Sequence, residues 1–108
     1  MESWDKEKVE QAKKNLEGAE LKGLDLSGVN LKNANLISAN LVSANLSGAD
    51  LSGAKMFGAK AMRANLQNAN LSGASLLKAN FSRANFQESN LNDTDFMGAD
   101  LSYAELMK

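Results

Sequence analysis

The side chains available for chemistry are thirteen carboxylates, twelve lysines and arginines, and many serines, spread over 108 residues. Histidine and cysteine are absent, which removes thiol chemistry, disulfides and the usual transition-metal ligands. The serines have no candidate base to activate them, and neither a P-loop nor a dinucleotide-binding glycine run occurs. Catalysis needs a base or nucleophile held in a concave, water-poor site. We therefore read a protein that is not an enzyme, with no cofactor, no metal and no small-molecule substrate.

Charge placement is more informative than charge chemistry. Lys55, Lys60, Arg63, Lys78 and Arg83 fall in a stretch with no acid between Asp50 and Glu88, and an acidic end follows with Glu88, Asp93, Asp95, Asp100 and Glu105. The overall balance is −1, so there is no global pull toward nucleic acid or an anionic membrane. The five bases lack interleaved aromatics beyond Phe57, which argues against nucleic-acid binding. No run approaches the length of a membrane span, and the start M-E-S-W-D-K lacks a signal-peptide plan. A cytoplasmic protein is expected.

What positions these groups is a repeat. From Leu16 to Leu106 a centre residue recurs every five positions for 19 units: leucine at 14, phenylalanine at Phe81, Phe86 and Phe96, then Met56 and Ala61. Alanine lies two before the centre in 14 of the 19, so the repeat has two apolar rows and decides the architecture. An α-helix would scatter the centres at intervals of about 500° around its axis and give no apolar face. In an extended segment, residues two apart share a side. The residue left over in each unit suits a corner, and Gly18, Gly23, Gly28, Gly48, Gly53, Gly58, Gly73 and Gly98 stand at unit ends where corners need permissive backbone. The chain should wind into a coil with its Ala and Leu rows inside. Asn30, Asn35, Asn40 and Asn45 would then form either amide ladders between coils or turn contacts.

The pattern A-(N/D)-L-x-x, which runs through most of the chain, resembles the pentapeptide-repeat family. The resemblance implies an all-β fold: a right-handed quadrilateral β-helix with one unit per side and four units to the turn, here about 4.75 coils. It also brings a rival function, since some members bind type II topoisomerases such as gyrase by imitating duplex DNA. That mechanism needs dense negative charge along the rod, about 14 negatives over roughly 23 Å, and this chain is balanced.

The outward residues check the four-sided plan independently. Folded at four units to the turn, the first position after the centre puts Ile37, Phe57, Leu77 and Met97 in one column, with Val42 and Met62 in the next. Folded at three or five units to the turn, they scatter. An aligned apolar patch of a few hundred Å² is the size that marks an interaction site. We expect self-association into a homodimer through Ile37, Val42, Phe57, Met62, Leu77 and Met97, because a two-fold axis lets one patch pair with itself. An unidentified protein partner is the other occupant, and the last coil (Phe96, Leu101, Tyr103, Leu106, Met107) is the rival surface.

Two departures remain. Residues 1–14 lack the repeat and read as a short capping helix over the 15–108 β-helix, with Ser3 as N-cap and Trp4, Val9 and Ala12 as an apolar stripe. Leu24 and Val29, standing where alanine is usual, should reach toward it. Ala61 replaces a core leucine between Leu41 and Phe81 in one column, a loss of about 2–5 kcal/mol unless Phe81 leans into the space.

Overall fold

The computed structural model describes residues 3–106. Its backbone converts the five-residue rhythm into a fixed bond pattern. The N–H of each centre donates to the carbonyl just before the next centre in its own column, as Leu36 does to Lys55 (2.8 Å). Two residues later the same reach recurs, as Ser38 donates to Phe57 (2.9 Å). The residue before each centre donates backward, as Asn40 does to Ala19 (2.8 Å). Parallel bridges join each such residue to its counterpart four units on, from Glu20–Asn40 through Asn85–Glu105. One turn therefore takes four five-residue units, and the chain is a four-sided parallel β-helix. We number the faces from the centre residues: face one carries Leu16, Leu36, Met56, Leu76 and Phe96, and face two carries Leu21, Leu41, Ala61, Phe81 and Leu101.

The corners follow one tight plan. Each centre carbonyl accepts from the N–H three residues on, as Leu36 does from Ala39 (3.0 Å), and the residue just before that donor has positive φ. A turn with positive φ only at its second corner residue has the type II signature. Glycine fills eight of these left-handed positions, but ten hold other residues, including Ser43 (60°), Arg63 (62°), Lys78 (56°) and Tyr103 (60°). The strain at those ten is set by the two flanking ladders, which leave the corner no other conformation.

At most corners an Asn or Asp before the centre closes the same corner from outside. Asn35 Oδ1 accepts from Ile37 N–H (3.1 Å), Asn40 Oδ1 from Val42 N–H (3.0 Å) and Asn45 Oδ1 from Ser47 N–H (3.0 Å). Of the two alternatives for these asparagines, the structure takes turn contacts within a coil. Side-chain amides meet between coils at Gln67 and Gln87 (3.4 Å) instead.

The centres fill the tube, buried from Leu16 to Phe86, together with the alanines from Ala34 to Ala84. Ala61 and Phe81 are both fully buried, and the Phe81 ring packs at 5.4 Å on Phe86, one face round.

At the N-terminus, α1 spans Lys6–Gln11 and a 3₁₀ turn spans Lys13–Asn15. The N-cap is Asp5, whose carboxylate accepts from Lys8 N–H (2.8 Å), and not Ser3. Starting at Asp5 puts Trp4 just before the cap and Val9 at the fourth helical position, the pair of sites that staple a helix entry. Val9 is fully buried, and Trp4, Ala12 and Leu24 pack on the same cluster, which also holds Val29. Glu10 Oε1 accepts the first-coil Asn30 N–H (2.9 Å).

Candidate interaction surface

Backbone register, residue by residue, decides which outward side chains meet. Gly18 N–H donates to Ile37, Ser38 to Phe57, Gly58 to Leu77 and Lys78 to Met97, all at 2.8–2.9 Å. Ile37, Phe57, Leu77 and Met97 therefore stack one per turn on face one. On face two, Gly23 N–H donates to Val42 and Ser43 N–H to Met62 (both 2.9 Å), which aligns that pair beside them. Rows one strand spacing apart cover one another, so Ile37, Val42, Met62 and Leu77 are half-buried, while Phe57 is 44% and Met97 73% exposed.

Cations border this column. The Lys78 ammonium stands 6.0 Å from the centre of the Phe57 ring, and the Arg83 guanidinium 4.7 Å from that of Tyr103. Neither pairing emerges from a search for apolar columns, although the spacing holds the signal. Arg83 and Tyr103 occupy the same corner position on successive turns, and Lys78 directly follows Leu77, the counterpart of Phe57 on the next turn.

The bridges put the basic band and the acidic end into shared columns. One runs Asn35, Lys55, Ser75, Asp95, and the other Asn40, Lys60, Asn80, Asp100. Where Lys55, Lys60 and Ser75 replace Asn or Asp, the corner loses its side-chain acceptor. The N–H groups of Phe57, Met62 and Leu77 accordingly have no intramolecular partner among the described residues.

Three aspartates show what an intact corner does to charge. In Asp25-Leu26-Ser27, Asp50-Leu51-Ser52 and Asp100-Leu101-Ser102 the carboxylate accepts from both the serine hydroxyl and the serine N–H. The hydroxyl contact, then the N–H contact, hold each carboxyl below its ordinary range.

The rival surface is split. Phe96 and Leu101 are half-buried centres of the last coil, and Leu106 is 51% exposed beside a cavity of about 300 Å³ lined by Gln87, Ala104 and Glu105. Tyr103 is 79% exposed but stands on an outer corner under Arg83, and Met107 lies outside the described residues. Among the described residues no three His, Cys, Asp or Glu gather as a metal site, and no helix is long and apolar enough to cross a membrane.

The family described as pentapeptide repeats matches in eight copies over residues 15–53 and 62–106. The unmatched gap coincides with the units carrying Lys55, Met56, Lys60 and Ala61. Among solved structures, HetL from the cyanobacterium Nostoc sp. strain PCC 7120, involved in heterocyst differentiation regulation, is 34% identical over 79% of this chain and 39% of its own, with a TM-score of 0.78. Rfr23 from the cyanobacterium Cyanothece 51142 is 33% identical over 80% of this chain and 63% of its own, with a TM-score of 0.63. QnrB1, a plasmid-mediated fluoroquinolone resistance protein, is 24% identical over 79% of this chain and 59% of its own, with a TM-score of 0.40. This chain thus spans about two fifths of HetL and under two thirds of Rfr23. No curated relative matches the sequence.

Proposed function

Because this chain belongs to the pentapeptide-repeat family, whose members fold into right-handed quadrilateral β-helices, we propose that it is a non-enzymatic interaction module that associates with a second copy of itself through face one. One observation carries the reading: Ile37, Phe57, Leu77 and Met97 stand in a single register-fixed row, with Phe57 and Met97 open to solvent. The helix α1 serves as a cap over the first coil. Its glutamate supplies Asn30 with an acceptor, and Val9 and Trp4 cover leucines that an open solenoid end would expose.

Imitation of duplex DNA is the weaker reading. It calls for roughly 14 negatives along the rod, whereas the chain carries 13 acids against 12 bases and gathers five of the bases around faces one and two. A supercoiling assay with gyrase should show no inhibition.

The association is tested by light scattering behind a sizing column. The parent should run as a dimer that Phe57→Asp converts to a folded monomer. A parent that stays monomeric up to the order of 100 µM would end this reading.

A further inference from the structure

Resting on the face-one reading, we infer how the two copies are arranged: antiparallel, with the two-fold axis crossing face one at Leu77. Such an axis reverses the coil order and keeps each column opposite its own counterpart. Leu77 then meets Leu77 of the second copy, and Phe57 meets Met97 of the second copy. In the neighbouring column Lys55 meets Asp95 of the second copy, and the reciprocal pair forms by symmetry.

Three observations select this register. The first is charge. Shared columns place Lys55 and Asp95 two coils apart, and Lys60 and Asp100 likewise, so only reflection about the coil between them sets base against acid in both. An axis at Phe57 would set Lys55 and Lys60 each against itself. The axis at Leu77 sets Lys78 against itself, a like-charge contact that the two reciprocal Lys55–Asp95 pairs offset. An axis midway between Phe57 and Leu77 would set Lys55 against Ser75 and leave the acids facing Asn35 and Asn40.

The second is the open corner. Phe57 N–H lacks the acceptor that an Asn or Asp at position 55 would give it. A carboxylate brought opposite Lys55 finds both an ammonium and a free backbone donor, the combination that binds a carboxylate most strongly. Asp95 uses Oδ1 on Met97 N–H (3.0 Å), and its second oxygen is left for the contact. The third is exposure. The two most open side chains of the row, Phe57 and Met97, are the two that this register pairs.

The molecule measures 36 × 23 × 21 Å. Three coils of one face then offer on the order of 300 Å² per copy, well below the ~800 Å² per partner of a standard specific interface. The association is accordingly weak and needs the charge match to fix its register.

The chain has no cysteine, so single cysteines report contacts cleanly. Leu77→Cys should form an intermolecular disulfide with itself. Phe57→Cys should not, since its two copies would lie about 10 Å apart along the rods, but it should link when mixed with Met97→Cys. A self-linking Phe57→Cys, or Phe57→Cys linking with Leu77→Cys in place of these, would overturn the register while leaving the face-one dimer standing. A parent that is monomeric by light scattering would remove both.

A charge reversal supplies the second arm. Lys55→Asp gives the corner back its acceptor and should fold well, yet weaken association at least about tenfold. Adding Asp95→Lys, in a column that already holds a lysine, should restore it. Failure of that double variant to dimerise while Leu77→Cys of the parent cross-links would overturn the Lys55–Asp95 contact.

Discussion

Lys78 lies one turn above Phe57 and one residue along, and its ammonium stands 6.0 Å from the ring centre of an aromatic that is otherwise open to solvent. Lys78 holds this place in a left-handed corner (φ 56°), a conformation that favours glycine. The contact lies beside the row on which the proposed association depends, so corner strain and surface character are set by the same residue.

Corner conformation yields the first prediction. Ser43 is left-handed and exposed, so Ser43→Gly should stabilise the fold by about 0.5–1 kcal/mol despite removing a side chain. Gly48, also left-handed, has open space where a Cβ would go, so Gly48→Ala should cost about 1 kcal/mol through backbone alone. Urea unfolding would measure both. A neutral Gly48→Ala would mean that the corner is not held left-handed.

The missing acceptors give the second. Lys60→Asn and Ser75→Asn should each add about 0.5–1.5 kcal/mol by supplying Met62 or Leu77 N–H with a side-chain oxygen, and Asn65→Ala should lose a similar amount. Thermal unfolding of the three variants decides it. Destabilisation by Lys60→Asn would show that the lysine has a folding role of its own.

Low pH gives the third. In the folded chain the Asp50 carboxyl sits below its ordinary value of 3.8, held there by the Ser52 hydroxyl and N–H. A lowered folded-state value contributes stability above the ordinary carboxylate range, and that contribution is lost as pH falls through the folded value. Asp25 and Asp100 behave alike. Replacing all three with Asn keeps the oxygen acceptor and removes the ionisation, so the melting temperature should fall less steeply below about pH 4. An unchanged slope would assign acid sensitivity to other carboxylates.

Much of this is legible in the chain because a strict repeat turns sequence spacing into spatial position. Ile37, Phe57, Leu77 and Met97 share a wall for no reason beyond standing four units apart in succession. Local detail is harder. Glycine marks only eight corners, because the flanking ladders force residues such as Lys78 into left-handed backbone that their own preference disfavours. Ser3 looks like an N-cap as much as Asp5 does, and the choice falls to where Trp4 and Val9 reach the core together. An Asn at position 35 or 40 has two possible contacts that use the same oxygen, and spacing alone does not choose between them. The loss of that oxygen at Lys55, Lys60 and Ser75 takes on meaning only with the corner geometry in view.

Amide hydrogen exchange compared at low and high protein concentration tests the central claim most directly. Phe57 and Leu77 N–H, lacking an intramolecular acceptor among the described residues, should exchange fast in dilute solution and slow several-fold when concentrated. Ser47 and Gln67 N–H, on the wall of Leu46 and Leu66 opposite face one and each already bonded within its corner at 3.0 Å, should not change. Protection that rises instead around Leu101 and Leu106, or nowhere, would contradict association through face one.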